Sequence, residues 1–446
     1  MKARVLAPEA RAPLPGIKHL AFFRALAALR EDCGRNWCEL ACGLAAMRLV
    51  DWSRDNPGEP LPEVGVQALK HSIETLESEG SATPTLVMLQ GIASAMFADA
   101  DRGDSVVLQR TTDYGDVLYR NAHWSLAEDV FQTIIEYPCS DRAILPSVYL
   151  RLGRCRRRMG QFVAASATYE SGRELADELG DTHASFRLRI AEAQVVSERG
   201  DFAAAEVLLD DIAAEACLAS LPTMRASALH DRATVAQRRG AISRALPLYF
   251  DALDLYTEPA HQDRVICDIG LALLQVEQFD LARDALLIVR EKAVAQELRW
   301  NATLNLLEMA VARRDKAYFD EYRIELGSVE LPVRLALYYQ LIIGDGWLRF
   351  DHSDHARTAL DQAIQIAERF GAHDADGQID QLRQAVNAGS DAEAMRLMRF
   401  DRRRQIDQTW ADLSTRLDIR RRLREFRDRL RSAESAVERP ARRAAP

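Results

Sequence analysis

Proline and glycine are scarce in this chain, 15 and 22 among 446 residues. Runs of β-branched residues are few as well, which argues against a turn-rich β architecture. The seven cysteines are an odd number and show no paired-framework spacing. That excludes the disulfide scaffold of a small secreted domain and points to a reducing cytoplasm. No stretch approaches the ~18 uninterrupted apolar residues of a membrane span, so no membrane partner is expected. An excess of basic charge is also missing: Lys+Arg 58 stand against Asp+Glu 67, a net charge of -9. This balance argues against a generally basic nucleic-acid binder and leaves open only a local basic patch. Catalytic signatures are absent too: no GxSxG, HExxH, GxxxxGK[ST] or CxxC…CxxC occurs, and no catalytic triad or carboxylate pair stands out. The sequence therefore predicts no enzyme, no cofactor and no metal.

What remains is rich in Ala, Leu, Arg, Glu and Asp, the composition of a chain that is helical almost throughout. With 48% hydrophobic and 28% charged residues it has ample surface to bury. Its length suits two to four compact domains or one extended repeat array. Residues 1–16 are Pro-rich without an apolar core and read as a flexible lead, not a signal peptide.

A repeat decides between those options. Gly160, Phe162, Ala165 and Tyr169 recur forty residues on as Gly200, Phe202, Ala205 and Leu209. Forty further on they recur as Gly240, Ile242, Ala245 and Tyr249. The glycine suits a left-handed end to one helix, and the large apolar residue starts the next. The alanine fits where two helices cross closely, and the +3/+4 steps put all of these on one face. Upstream, Gly115, Trp124, Ala127, Phe131 and Pro138 keep the same offsets, with Gly153 thirty-eight residues after Gly115. Downstream, Gly270, Phe279, Ala282 and Leu286 match again. Weaker copies lie at 317–322 and at Ala356, Ala359 and Ala363.

This pattern resembles tetratricopeptide repeats, at a pitch of 37 to 40 residues where the family's usual repeat is about 34. The longer pitch is similar to that of arrays in bacterial regulatory and signalling proteins. The family's first-helix glycine is replaced by Ala193 and Ala233 in two copies. The resemblance implies an all-α fold, a right-handed superhelical solenoid of antiparallel helix pairs over 105–375, and a concave wall lined by the first helix of each pair. Carried over by register, the wall includes Tyr119, Arg154, Arg157, Arg187, Gln194, His230, Gln237, Arg264 and Asn305. Arg154, Arg157, Arg187 and Arg264 would form a basic stripe suited to bidentate carboxylate contacts, so the expected partner is a protein or peptide segment of acidic character. The alternative is that these arginines are paired with neighbouring acids and solvated. A two-carboxylate clamp known in one subset of the family needs Lys and Asn where this chain has Leu150 and Arg154, so that clamp is not expected.

The flanks follow helical spacing without the signature. Residues 17–104 read as four helices, about 17–31, 35–53, 62–79 and 83–98, either two diverged repeats or a separate cap. Residues 391–430 read as one long amphipathic helix striped by Ile406, Trp410, Leu413, Leu417, Leu423, Phe426 and Leu430, like a short coiled coil. Such a helix is suited to signal transmission, self-association or docking in the groove. The segment 391–446 carries 16 Arg and no Lys and nets +6, leaving -15 on the rest; 431–446 reads as a disordered Arg-rich tail.

Three polar clusters carry weaker signals. Cys33, Cys38 and Cys42 read as small buried hydrophobes, because tetrahedral thiolate sites want a fourth ligand. Asp351, His352, Asp354 and His355 read as a helix-capping turn. Gly344, Asp345 and Gly346 read as a helix kink or end. The function expected is a non-catalytic, cytoplasmic interaction or regulatory scaffold that binds a peptide in its groove. The alternatives are phosphate contact through the Arg-rich C-terminal helix, for which the overall charge leaves little room, and the sensor half of a bacterial signalling system.

Overall fold

The computed structural model describes residues 18–29, 34–80, 83–98, 104–137, 142–370, 375–388 and 417–430. Among these residues the secondary structure is helical, with no strand. The chain divides into two compact units, Met1–Gln161 and Phe162–Pro446.

The first unit holds α1 (Leu20–Ala28), α2 (Arg35–Asp55), α3 (Glu63–Ser78), α4 (Pro84–Phe97), α5 (Asp104–Arg120), α6 (Trp124–Glu136) and α7 (Leu145–Arg158). Helices adjacent in sequence pack together from α1 to α7, and α1 and α2 also touch α6. The four helices expected before residue 104 are all present. Gly115 of α5 is the close-approach position the repeat requires: a Cβ there would meet Phe131 of α6 at 2.6 Å. Phe131 and Ala127 are fully buried beside it.

The second unit is a run of hairpins: α8 (Phe162–Glu178), α9 (Thr182–Glu198), α10 (Phe202–Leu218), α11 (Pro222–Arg238), α12 (Ile242–Leu255), α13 (Pro259–Gln275), α14 (Phe279–Lys292), α15 (Gln296–Arg313), α16 (Lys316–Gly327), α17 (Val333–Arg349), α18 (Ser353–Phe370) and α19 (Asp376–Ala388). Residues 417–430 form a further helix, α20. Each helix packs against its sequence neighbour from α8 through α19. The first helices α9, α11, α13, α15 and α17 also touch one another in order. This is the all-α array of antiparallel helix pairs read from the sequence.

The turns explain the period. Gly200 sits at φ +91 and Gly240 at φ +80, and each closes its helix with a backbone N–H to the carbonyl three residues back. Asp201 then caps α10 by accepting from the Ala204 N–H at 3.1 Å, as Asp181 caps α9 through Ala184 at 2.9 Å. The crossing alanines Ala165, Ala205, Ala245 and Ala282 are all fully buried. So are Leu209, Tyr249 and Leu286 one turn on. Phe162, Phe202 and Phe279 begin their helices half-buried. Gly270 of α13 stands where a Cβ would lie 2.7 Å from Leu286 of α14; Ala193 and Ala233 hold the same register fully buried, so the neighbouring helices there tolerate one methyl group.

Gly344 and Gly346 do not end a helix. Both lie inside an uninterrupted α17. There a Cβ would meet Leu382 of α19 at 2.7 Å and Phe319 of α16 at 2.3 Å respectively. Two layers of close packing, not a loop, explain why glycine stands at both positions.

Candidate wall of first helices

The first helices of the second unit are tied together by a polar ladder one repeat long. Gln194 Nε2 of α9 donates to Asp231 Oδ2 of α11 at 2.7 Å. His230 Nε2 of α11 lies 2.8 Å from Asp268 Oδ2 of α13. Gln237 Nε2 donates to Gln275 Oε1 at 3.1 Å. Asn305 of α15 donates to the Cys267 sulfur at 3.7 Å. The partners are separated by 37 or 38 residues in every case, which is the repeat itself written in side chains.

The second helix α12 supports this wall from behind. Tyr249 donates its hydroxyl proton to Gln237 Oε1. Its oxygen lies 3.3 Å from Thr234 Oγ1. Tyr256 donates to Ser227 Oγ at 3.1 Å. Burial pushes both phenols up, Tyr256 to about 12 despite the Ser227 contact, so both remain neutral donors. His230 sits edge-on between the two rings, with centroids 5.6 and 6.2 Å away. Gln237 and His230 are buried, so these predicted wall residues hold the helices in register.

The arginines differ from the amides. Arg187 of α9 and Arg264 of α13 are exposed. The charges of both act on His261, one turn before Arg264 on α13. Burial, and then the charges of Arg264, His230 and Arg187, depress the His261 pKa against the opposing pull of Glu258. The imidazole lies 4.9 Å from the Tyr256 ring. Its Nδ1 is 3.5 Å from the Glu258 carboxylate yet buried and without a hydrogen bond.

In the first unit the expected wall residues sit on α5 and α7. Tyr119 accepts from Arg158 Nε at 3.4 Å. Asp116 takes a forked contact from Arg151 Nε, at 2.9 and 3.1 Å. Arg154 and Arg157 are half-buried and each has interaction partners. The pairing of arginine with neighbouring acid is thus prominent in this unit.

The described part of the C-terminal stripe packs onto a second helix. Ile419, Leu423 and Phe426 of α20 are buried within the core that contains α12. Arg422 lies over the Phe250 ring at 4.9 Å, and Arg422 and Arg429 approach Asp254 at 4.0 and 3.9 Å. Arg421 is clasped by Asp418 and Glu425. These arginines are engaged by carboxylates of the same chain, which weakens the phosphate-contact alternative. Leu417 is exposed. Ile406, Trp410, Leu413 and the tail 431–446 lie outside the described residues, as do Cys33 and Pro138.

Cys42 is buried and its thiol is pushed up to about 12, which keeps it protonated and inert. No group of three metal-ligating side chains occurs among the described residues. His352 meets the Trp347 ring edge-on at 5.2 Å, and His355 lies tilted against it at 4.9 Å. No described helix is long and apolar enough to cross a membrane.

Sequence reasoning missed several residues. Asp231, Asp268 and Gln275 are the ladder partners of Gln194, His230 and Gln237, each 37 or 38 residues further along the chain, and that separation was the available signal. His261 carried no repeat signal. His19, just before α1, was also missed. Its Nδ1 lies 3.0 Å from Asp129 of α6 and its Nε2 3.2 Å from Asp51 of α2. Burial pulls its pKa down, but the hydrogen bond to Asp129 and the close charges of both carboxylates outweigh that and lift it to about 9.

No family model and no curated protein matches the chain. Among solved structures it is similar to the Rap conjugation gene regulator of plasmid pLS20 in complex with the Phr* peptide, at 12% identity, covering 74% of this chain and 97% of that one with a TM-score of 0.44. It is also similar to a Rap protein complexed with Competence and Sporulation Factor, at 11% identity, 78% and 99% coverage and a TM-score of 0.45. A third is NprR in complex with its cognate peptide NprX, at 13% identity, 73% and 98% coverage and a TM-score of 0.46.

Proposed function

We propose that the second unit is a non-catalytic docking platform that takes a peptide or protein segment along the wall of its first helices, as part of a cytoplasmic regulatory scaffold. The observation that carries this reading is the polar ladder. It ties α9, α11, α13 and α15 to one another with partly buried hydrogen bonds, while Arg187 and Arg264 remain exposed on α9 and α13. A wall rigid before its ligand arrives loses little entropy on binding. Peptide recognition commonly uses such a preformed surface with a few charged anchors. The absence of catalytic motifs and of paired cysteine spacing favours an interaction role inside a reducing compartment.

The test is capture from native lysate on the immobilised full chain, followed by mass spectrometry. A partner retained by the wild type is expected to be lost with Arg187→Glu/Arg264→Glu and kept with Arg421→Glu on α20. An identical set of partners on the wall-reversed variant contradicts the reading.

A further inference from the structure

The wall carries one place where positive and ring-bearing groups converge on an unsatisfied donor or acceptor. His261 stands in the first turn of α13, with Arg264 one turn on. The Tyr256 ring at the end of α12 lies 4.9 Å from the imidazole, and the charges of His230 on α11 and Arg187 on α9 reach it. The acids nearby on the wall are occupied: Asp268 faces His230 at 2.8 Å and Asp231 accepts from Gln194 at 2.7 Å. Glu258 is the carboxylate near the imidazole, 70% exposed and 3.5 Å from Nδ1, in a geometry that makes no hydrogen bond. Arg264 is exposed and forms no ion pair among the described residues.

Resting on the docking reading above, we propose that His261 and Arg264, flanked by Arg187 and floored by the Tyr256 ring, form a carboxylate anchor for the docked segment. A planar carboxylate can accept from the Arg264 guanidinium on one side and from a protonated His261 on the other, a pairing of charge-assisted hydrogen bonds. The exposed Glu258 gives way to it by swinging into solvent. The buried His230–Asp268 pair stays intact and holds the α11–α13 spacing.

Proton linkage follows from the same geometry. His261 faces Arg264 and Glu258 on its own helix, His230 on α11, Arg187 on α9 and the neutral Tyr256 at the end of α12. Burial first, and then the charges of Arg264, His230 and Arg187, outweigh the pull of the solvated Glu258 carboxylate and keep the free imidazole neutral near pH 7. An incoming carboxylate reverses that balance, so binding draws a proton onto His261. Affinity then rises as pH falls from 8 to 6, above the range in which the ligand's own carboxylate is protonated.

The experiment uses the full-length protein and two randomised heptapeptide pools, one with free C-termini and one amidated. Retained peptides are sequenced by mass spectrometry. Retention of peptides with a clear excess of Asp, Glu or a free C-terminus over the input is expected. Equal acid enrichment in both pools places the carboxylate on a side chain; retention from the free pool alone places it at the C-terminus. Both results support the anchor. Arg264→Gln is expected to weaken retention about tenfold and to erase the acid preference. The exposed-charge control Arg239→Gln should leave both unchanged. His261→Gln should abolish a gain of about threefold in retention between pH 8 and pH 6. Far-ultraviolet circular dichroism confirms that each variant folds. Retained peptides with no acid excess, or an acid excess that survives Arg264→Gln, overturn the anchor and leave the docking wall standing. No retained peptide from either pool overturns the docking reading and the anchor together.

Discussion

The two units solve the burial of polar groups in different ways. In the first, one ionised cluster joins helices remote in sequence: His19 bridges Asp51 and Asp129, across 32 and 110 residues, with Arg54 and Lys18 adding charge around Asp51. In the second, uncharged amides and one histidine–carboxylate pair link each first helix to the next at a constant 37 or 38 residues. A concentrated charged cluster depends on the ionisation of one histidine, because its attraction vanishes when the ring loses its proton. A distributed ladder depends on no single proton, and its surface can remain the same while a ligand's charge is read beside it.

The largest way to break that contrast is at His19. Replacing it with alanine leaves two carboxylates facing each other in a largely buried site, at a cost of about 3 kcal/mol. Hydrogen exchange in α1, α2 and α6 should accelerate accordingly, while α9 to α13 keep wild-type protection. The wild type should show the same asymmetry with pH. The His19 pKa is raised on folding, so its contribution is fully present below about 6.5 and is lost as pH rises through about 9. Protection in α1 that does not fall between pH 7 and pH 10 contradicts the charged bridge.

Packing comes next. Gly270→Val places carbon 2.7 Å or less from Leu286 and should cost about 2–3 kcal/mol of stability in the second unit, read by chemical denaturation. Phe426→Ala removes the single aromatic of α20 and should release that helix from α12, a loss of about 2 kcal/mol seen as faster exchange confined to 417–430. The smallest effect belongs to the ladder. Tyr249→Phe leaves Gln237 Oε1 without its donor and should cost about 1 kcal/mol. An unchanged stability there means that the ladder hydrogen bonds are not holding the wall.

Legibility in the sequence followed the same division. Gly200, Phe202, Ala205 and their copies announced the hairpins because the same backbone turn and the same helix crossing recur at a fixed period. Gln194, His230, Gln237 and Asn305 were placed on the wall by that register, yet their role as ties between helices was hidden, since their partners lie one repeat away on the neighbouring first helix. His261 was invisible because it belongs to no repeat position; it matters only through the three helices that meet around it. His19 was invisible for a stronger reason: its two aspartates come from separate helices that only folding brings together. Gly344 and Gly346 looked like a helix break because local propensity says so, and the tight approach of Leu382 and Phe319 overrides that propensity.

The most direct test of the docking wall is hydrogen exchange of the full-length protein with and without a peptide retained from the randomised pools. The account predicts new protection concentrated in α9, α11 and α13, with α10, α12 and α14 unchanged on their outer faces. Protection confined to the second helices, or to α1–α4, would contradict it.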